Sequence, residues 1–517
     1  RFLILGLGES GVAMAKWCLR NGAEVRLADT RDQSTFTEKQ NAWLDELRVA
    51  GLKDVCFGPL SEDLLKNIDV IGISPGLSPL QDPTYSFLVK AEQAEIDVWS
   101  EIEFFARAIS ALSRMAQAQE LSYVAAVLAV TGTNGKTTTT ALTGQLCERA
   151  GKKVAVAGNI SPAALEKLMS CLDIADQIVD MPDVWVLELS SFQLVYTHTL
   201  NATAATVLNI TQDHLDWHGD MQAYAAAKSK IFGVDTVCVL NRDDALVMSL
   251  LTEEQKAEKS IVTFGSNRPD EQGAFGVEHD LRAGGIDWLV WAEVDEDIEP
   301  KPKRRRKSAA IEEDEPLRLK RLIPADALRI RGRHNALNAL AALALARAAN
   351  LPMNALLHGL RDYHGEPHRV QSIAIVKDVE YVDESKGTNV GATVAALNGL
   401  GNNELGKRIW LIAGGDGKGQ DFSPLREPAL RFVKGAFLIG KDGAAIGEAL
   451  GSGISSTNCG DLVTAVQAAA AHAVSGDLVL LSPACASFDQ FRDYVERAQA
   501  FATEVEELGM RFEGVQA

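Results

Sequence analysis

Residues 124–138 read Val124-Ala125-Ala126-Val127-Leu128-Ala129-Val130-Thr131-Gly132-Thr133-Asn134-Gly135-Lys136-Thr137-Thr138. An apolar run of strand length passes into a glycine-bearing loop that closes on Lys-Thr, and a helix is expected over residues 139–150. This is the setting that a phosphate loop needs. Glycines let main-chain N–H groups turn inward, the helix N-terminus adds positive potential, and Lys136 reaches the terminal phosphates. The Thr137 hydroxyl is placed to ligate Mg2+. Gly132, Thr133, Asn134, Gly135 and Thr138 complete the cradle for ATP. The spacing is Gly-x-x-Gly-Lys-Thr, because Val130 stands where the longer form of the loop has its first glycine. A helix cap with a chance lysine is the bland reading, and the strand-loop-helix context argues against it.

Two more strand ends point the same way. Val184-Trp185-Val186-Leu187 runs into Glu188, and an acid at the C-terminal end of a strand beside a phosphate loop is a natural Mg2+ ligand. Taken alone, Glu188 is equally a surface acid. Asn209-Ile210-Thr211-Gln212-Asp213-His214-Leu215-Asp216 follows the expected strand 204–208 and offers His214 to a second metal, although a lone histidine is more often structural. Further strands are expected over 154–157 and 237–240, and an alanine-rich helix over 336–349.

Upstream, strand 2–5 is followed by the turn Gly6-Leu7-Gly8-Glu9-Ser10-Gly11, a helix over 12–20, and strand 25–29 closing on Asp29. Strand 70–73 ends in Ser74-Pro75-Gly76. Downstream, strands are expected over 409–413, 435–439 and 478–481, with a closing helix over 493–508. Alternating β and α elements imply parallel sheets. The expected fold is α/β in three domains. A Rossmann-like domain spans 1–100, a central P-loop ATPase domain with a mostly parallel sheet spans 101–365, and a second Rossmann-like domain spans 366–517. Residues 295–320 interrupt the pattern. The basic run Lys301-Pro302-Lys303-Arg304-Arg305-Arg306-Lys307 stands before the acidic run Glu312-Glu313-Asp314-Glu315, as in a solvated loop.

The 517 residues carry a net charge of −19, which argues against broad nucleic-acid binding. Seven cysteines without a Cys-x-x-Cys pair read as free thiols of a reducing, cytoplasmic compartment. No apolar stretch is long enough to span a membrane, and the chain opens on a strand rather than a signal peptide. The absence of an initiator Met leads us to expect a few native residues before Arg1.

These motifs together resemble the Mur ligase family. The resemblance rests on Thr131 to Thr137, Gly158-Asn159-Ile160, Glu188-Leu189-Ser190-Ser191-Phe192-Gln193-Leu194, Asp213-His214, Gly332-Arg333-His334-Asn335 with Asn338, and Pro367-His368-Arg369. It covers essentially the whole chain except residues 107–122 and 295–320. Three stretches are similar to the branch of the family that adds D-glutamate: Asp383-Glu384-Ser385-Lys386-Gly387-Thr388-Asn389, Gly414-Gly415-Asp416-Gly417-Lys418-Gly419, and Ser482-Pro483-Ala484-Cys485-Ala486-Ser487-Phe488-Asp489-Gln490-Phe491. The resemblance implies an ATP-dependent ligase that joins D-glutamate to UDP-N-acetylmuramoyl-L-alanine through an acyl phosphate, in cytoplasmic peptidoglycan precursor synthesis. It implies two Mg2+ ions and a carbamylated lysine made from CO2, and a monomer is expected.

Residue by residue, the resemblance implies that Gly8, Glu9, Ser10, Asp29, Thr30, Arg31, Ser74 and Gly76 hold the uridine diphosphate. Asn159 and His214 would lie near the muramoyl–alanine end. ATP would fall to the phosphate loop with Asn335, Asn338, Arg369 and Glu384. Glu384 departs from the family, which usually has Asp there, and Asp383 is a neighbouring substitute. Thr137 and Glu188 would bind one Mg2+, and His214 and carbamylated Lys228 the second. Lys386, Thr388, Lys418, Ser487, Phe488 and Tyr494 would hold D-glutamate. The catalytic set is then Lys136, Glu188, His214 and Lys228.

The chemistry needs such groups. A carboxylate becomes an acylating agent only when phosphorylated, and phosphoryl transfer needs charge neutralised at the γ-phosphate. Further readings remain open from the sequence. Gly6-x-Gly8-x-x-Gly11 with Asp29 eighteen residues beyond also fits an NAD turn. The motifs leave room too for another Mur-type amino-acid ligase, a folylpolyglutamate synthetase-like ligase or a non-catalytic nucleotide-binding regulator.

Overall fold

The computed structural model describes residues 1–281, 285–294, 317–401 and 406–513. The fold is α/β in three domains, and its residues gather into two compact units. The first holds Arg1–Ile210, His214–Pro324 and Ala339–Leu360, and the second Thr211–Asp213, Ala325–Asn338 and Arg361–Ala517.

The first unit contains two sheets. The N-terminal sheet has strands β1 (Phe2–Leu5), β2 (Val25–Asp29), β3 (Asp54–Phe57), β4 (Val70–Ile73) and β5 (Asp97–Trp99), in the order β3-β2-β1-β4-β5. All its pairings are parallel. Leu3, Ile4 and Leu5 are all shut off from solvent, as a strand covered on both faces requires. The glycine turn after β1 is set by contact, since a Cβ on Gly11 would meet the Gly6 carbonyl oxygen at 1.8 Å. The following helix, Glu9–Arg20, begins three residues earlier than the sequence suggested, with Gly8 as its N-cap.

The central sheet comprises β6 (Ala126–Thr131), β7 (Val154–Gly158), β8 (Val184–Glu188), β9 (Ala204–Val207), β10 (Val237–Asn241), β11 (Ile261–Phe264), β12 (Phe275–Asp280), β13 (Ile286–Val294) and β14 (Leu317–Pro324). Their order is β14-β13-β12-β11-β10-β9-β6-β8-β7. The sheet is parallel from β7 to β12, and β13 and β14 extend it antiparallel. Strand β6 lies between β8 and β9, with Val130 opposite Glu188 and Thr131 opposite Val207. On the far side of β8, Gly158 also stands opposite Glu188. Trp185 is fully buried in β8, its ring edge-on to Phe105 at 5.1 Å.

Strand β14 corrects the expected loop over 295–320, because residues 317–320 belong to it. Leu317 and Leu319 alternate with Arg318 and Lys320, a strand period that the density of charge concealed. Arg321 pairs with Glu278 at 2.9 Å and with Asp280 at 2.7 Å on β12. Residues 295–316, with the basic and acidic runs, lie outside the described residues.

In the second unit, β15 (Gln371–Val376), β16 (Val379–Asp383), β17 (Ile409–Gly414), β18 (Val433–Ile439), β19 (Ser455–Gly460) and β20 (Leu478–Leu481) form a sheet in the order β15-β16-β20-β17-β18-β19. Only β15 runs antiparallel to its neighbour. The closing helix is Tyr494–Glu513. All seven cysteines are free, and no helix among the described residues is long and apolar enough to cross a membrane.

Trp185 anchors the face of β8 away from the site. Trp185→Ala is expected to destabilise the first unit by about 3–5 kcal/mol, read as a lowered midpoint in chemical denaturation. An unchanged midpoint would contradict this packing role.

Candidate active site

The phosphate loop leaves β6 between two neighbouring strand ends. Gly135 adopts φ 83°, a left-handed conformation that glycine takes without strain, and the helix Lys136–Arg149 starts at once. It therefore begins three residues earlier than expected. Its first-turn amides lack helical acceptors and remain available to an anion. Asn209, just past β9, holds the loop from the side. Its carbonyl accepts the Thr133 N–H at 2.9 Å, its Oδ1 accepts the Asn134 N–H at 2.8 Å, and its Nδ2 donates to the Asn134 carbonyl at 3.1 Å. The Thr133 hydroxyl is 3.1 Å from the Tyr224 hydroxyl.

Two ammonium groups converge on this loop. Lys136 Nζ donates to the carbonyls of Gly132 and Thr133, both at 2.8 Å. Lys228 Nζ, from the helix Met221–Ser229, donates to the same Gly132 carbonyl at 3.0 Å. The two nitrogens thus lie within about 6 Å of each other. Lys228 is 1 % exposed and also sits 4.5 Å from the centre of the Tyr224 ring, so it is not a solvent lysine.

Glu188 ends β8 beside the loop and is buried. Its Oε1 accepts Asn159 Nδ2 at 2.9 Å, and its main-chain carbonyl accepts the Asn159 N–H at 2.7 Å. Its other carboxyl oxygen is buried without a hydrogen-bond partner among the described residues. Thr137 is buried as well. His214 sits at φ 54° with its ring 4.8 Å from that of Phe192. Four residues on, His218 is buried, shares a 2.9 Å hydrogen bond with the Ser191 hydroxyl, and is packed by Phe192, Trp217 and Tyr224. Burial, then the nearby Lys228 and His214, pushes the His218 pKa down to about 4, which keeps the ring neutral. Among the described residues no group of three or more His, Cys, Asp and Glu could hold a metal ion. The ligand sets expected from sequence are smaller, Thr137 with Glu188 and His214 with Lys228.

On the N-terminal sheet, Asp29 ends β2 and is engaged by the protein. It accepts the Leu7 N–H at 2.7 Å and both arms of Arg31, at 2.8 and 2.7 Å. Burial raises its pKa, but Arg31 and the main-chain N–H groups outweigh that and hold it below the ordinary range. The Ser74 hydroxyl donates to the Gly6 carbonyl at 3.2 Å. Glu9 accepts from the Ser161 hydroxyl at 2.5 Å, which ties the turn bearing Gly8 and Ser10 to the loop bearing Asn159. Space beyond Gly8 and Gly76 is open, so a ligand can approach the main chain there. Thr30 is partly exposed.

The second unit has its own cavity of about 420 Å3, lined by Arg329, Arg331, Asn335, His364, Arg369 and neighbours. It brings together Asn335 and Arg369, two residues expected to bind ATP. Asn338 Nδ2 donates to Asn335 Oδ1 at 3.2 Å. Two adjacent acids brace the turn that carries Arg369. Asp383 holds the His368 ring at 2.7 Å, and Glu384 accepts the N–H of Val370. His368 and Val370 both have positive φ, at 64° and 46°, which is strained for such residues. Glu384 is buried, and burial pushes its pKa up to about 7 against the lowering charge of Arg369. Lys386 Nζ lies 5.5 Å from the centre of the Tyr494 ring. Lys418 sits in the left-handed region, its N–H on Asp416 Oδ1 at 3.1 Å. Ser487 is buried, Thr388 is partly covered, and Phe488 is exposed.

Sequence reading passed over Asn209, Tyr224, His218 and Arg497. Asn209 was signalled by its place after a strand, whereas the others carry no such local signal.

Comparison with known proteins adds the family context. Residues 1–100 match the model of the Mur ligase MurD-like N-terminal domain, residues 130–346 that of the Mur ligase middle domain, and residues 368–485 that of the Mur ligase glutamate ligase domain. The UDP-N-acetylmuramoylalanine–D-glutamate ligase of Cupriavidus pinatubonensis is 56% identical over 514 residues, 98% of this chain and 97% of that protein. The enzyme of the same name from Ralstonia nicotianae is 56% identical over 501 residues, 96% of this chain and 95% of that protein. Among solved structures, MurF from Acinetobacter baumannii aligns with a TM-score of 0.56 at 16% identity, covering 97% of this chain and 93% of that one, a likeness of fold.

One buried acid near the N-terminal turn titrates in a useful range. Glu101 accepts the Leu165 N–H at 2.5 Å, while its other oxygen is buried and unpartnered among the described residues. Burial, with Glu9 nearby, lifts its pKa from 4.5 to about 7. The folded value lies above the unfolded one, so the stability that Glu101 contributes is whole below pH 4.5 and is lost as pH rises through about 7. Glu101→Gln keeps an acceptor for Leu165. It is expected to stabilise the protein at about pH 8 by on the order of 2 kcal/mol and to change little at about pH 4, measured by denaturation at both. A variant no more stable than the parent at the higher pH would contradict this.

Proposed function

The chain belongs to the Mur ligase family and adds D-glutamate to UDP-N-acetylmuramoyl-L-alanine in ATP-dependent peptidoglycan precursor synthesis, and from that premise we propose which residues carry the reaction. The observation that supports the assignment most is the convergence of Lys136, Lys228 and the buried Glu188 on one phosphate loop.

The alanyl carboxylate attacks the γ-phosphorus of ATP, the bond to the bridging oxygen breaks, and ADP leaves. The amine of D-glutamate then attacks the acyl carbon, inorganic phosphate departs, and the nitrogen loses a proton. Lys136 and the first-turn amides of its helix hold the terminal phosphates and offset their charge. Asn335, Asn338 and Arg369 hold the rest of ATP, with Glu384 bracing the turn of Arg369. Gly8, Glu9, Ser10, Thr30, Arg31, Ser74 and Gly76 bind the uridine diphosphate, Asp29 acting through Arg31. Asn159 orients Glu188 and faces the muramoyl–alanine end.

The unpartnered oxygen of Glu188 and the hydroxyl of Thr137 would hold one Mg2+, and His214 with carbamylated Lys228 a second, which when bound neutralise the approaching anions. Two ammonium groups so close repel each other, and a carbamate on Lys228 replaces one of them with an anion. Lys386, Thr388, Lys418, Ser487, Phe488 and Tyr494 receive D-glutamate, whose two carboxylates call for cations and hydroxyls.

Phosphate release should require D-glutamate when UDP-N-acetylmuramoyl-L-alanine is offered with D-glutamate, L-glutamate, L-alanine, L-lysine or diaminopimelate. Release with a different amino acid would overturn the substrate assignment. Stripping bicarbonate should lower the activity of the parent enzyme. Lys228→Ala should be slower by at least about a hundredfold and indifferent to bicarbonate. Undiminished activity of that variant would rule out the carbamate.

A further inference from the structure

Within the second unit, β16 and β20 are parallel neighbours, and the loops that follow them leave the same edge of the sheet. The first carries Lys386 and Thr388, and the second Ser487 and Phe488. Ligands of open α/β sheets sit at this C-terminal edge.

Beneath both loops lies Arg497, on the helix Tyr494–Glu513 and 1 % exposed. Its Nη2 donates to the Ser385 carbonyl at 2.8 Å, and its Nη1 donates to the Cys485 carbonyl at 3.1 Å. Its Nε is buried without an acceptor, and no carboxylate forms an ion pair with it among the described residues. Asp489 and Asp383 act on it only through space, and burying a guanidinium with no carboxylate in direct contact is costly, whereas an apolar side chain of similar size would fill the same volume without that cost. Packing therefore does not explain why an arginine stands here.

The two accepting carbonyls do suggest a reason. Ser385 immediately precedes Lys386, and Cys485 lies two residues before Ser487. The guanidinium is planar and its donors have a fixed fork geometry, so one rigid group sets the distance between the loops. Tyr494 lies three residues earlier on the same helix, with Lys386 Nζ near its ring.

We propose that Arg497 is a positioning residue for the amino-acid substrate, a clamp that holds the loop of Lys386 and Thr388 at a set distance from the loop of Ser487. The proposal rests on the assignment of D-glutamate to these loops. An amino acid with two carboxylates needs cation and hydroxyl groups at matching separations. Without the fork the loops relax independently, and the cost falls on binding of that one substrate.

The test is steady-state kinetics of the full chain, varying each of the three substrates, on Arg497→Met, Arg497→Lys and Lys418→Ala. Arg497→Met should raise the KM for D-glutamate by about tenfold or more, with the KM values for ATP and the UDP substrate moved by less than about twofold. Arg497→Lys keeps the charge and reaches one carbonyl, so it should fall between. A loss of kcat alone, or equal movement of all three KM values with a lowered unfolding midpoint, would overturn the clamp and leave a structural role. If Arg497→Met does not fold, Arg497→Lys decides by the same criterion, and an unchanged KM for D-glutamate overturns the proposal. Lys418→Ala reports separately. An unchanged KM for D-glutamate there would refute the assignment of the amino-acid site, while the clamp stands or falls on the Arg497 variants.

Discussion

The register of four parallel strands is the constraint on which the rest depends. Val130 on β6 stands opposite Glu188 on β8, Gly158 on β7 stands opposite the same Glu188, and Thr131 stands opposite Val207 on β9. Because of that alignment, the phosphate loop, the buried acid and the Asn209 brace all emerge at one sheet edge. Slipping one strand by a single residue would turn every side chain to the opposite face and separate Glu188 from the loop. The strands keep register because their side chains are buried on both faces, as Leu128, Trp185 and Ala205 show.

On this scaffold charge is arranged rather than merely accumulated. The chain is strongly acidic overall, yet Lys136 and Lys228 meet at a single carbonyl oxygen. Glu188 keeps one oxygen occupied by Asn159 and the other unpartnered. His218 is kept neutral chiefly by burial. In the second unit, Asp383 and Glu384 are spent on a strained turn, whose strain is the local cost of holding Arg369 in place.

Much of this was legible in the sequence because it is encoded locally. The glycine turn at Gly6 to Gly11, the loop at Gly132 to Thr137 and the acid closing β8 each announce themselves within a dozen residues. The exact helix starts were less legible, since Gly8 and Gly135 act as caps through main-chain conformation alone. Strand β14 was hidden because its outward charges looked like a solvated loop. Residues such as His218, Tyr224, Glu101 and Arg497 were not legible. Their partners lie 27, 91, 64 and 112 residues away, and no local pattern reports such distances. The Glu384 departure was visible, but its consequence, a hydrogen bond from the N–H of Val370, was not.

The proposed chemistry turns on activation of the carboxylate as an acyl phosphate at the loop of Lys136. The most direct measurement starts from UDP-N-acetylmuramoyl-L-alanine with its alanyl carboxylate labelled with heavy oxygen. After turnover with ATP and D-glutamate, the label is sought in the released phosphate. An acyl phosphate hands one carboxylate oxygen to phosphorus, so labelled inorganic phosphate is the predicted result. Unlabelled phosphate, or label found in AMP with release of pyrophosphate, would rule that activation out.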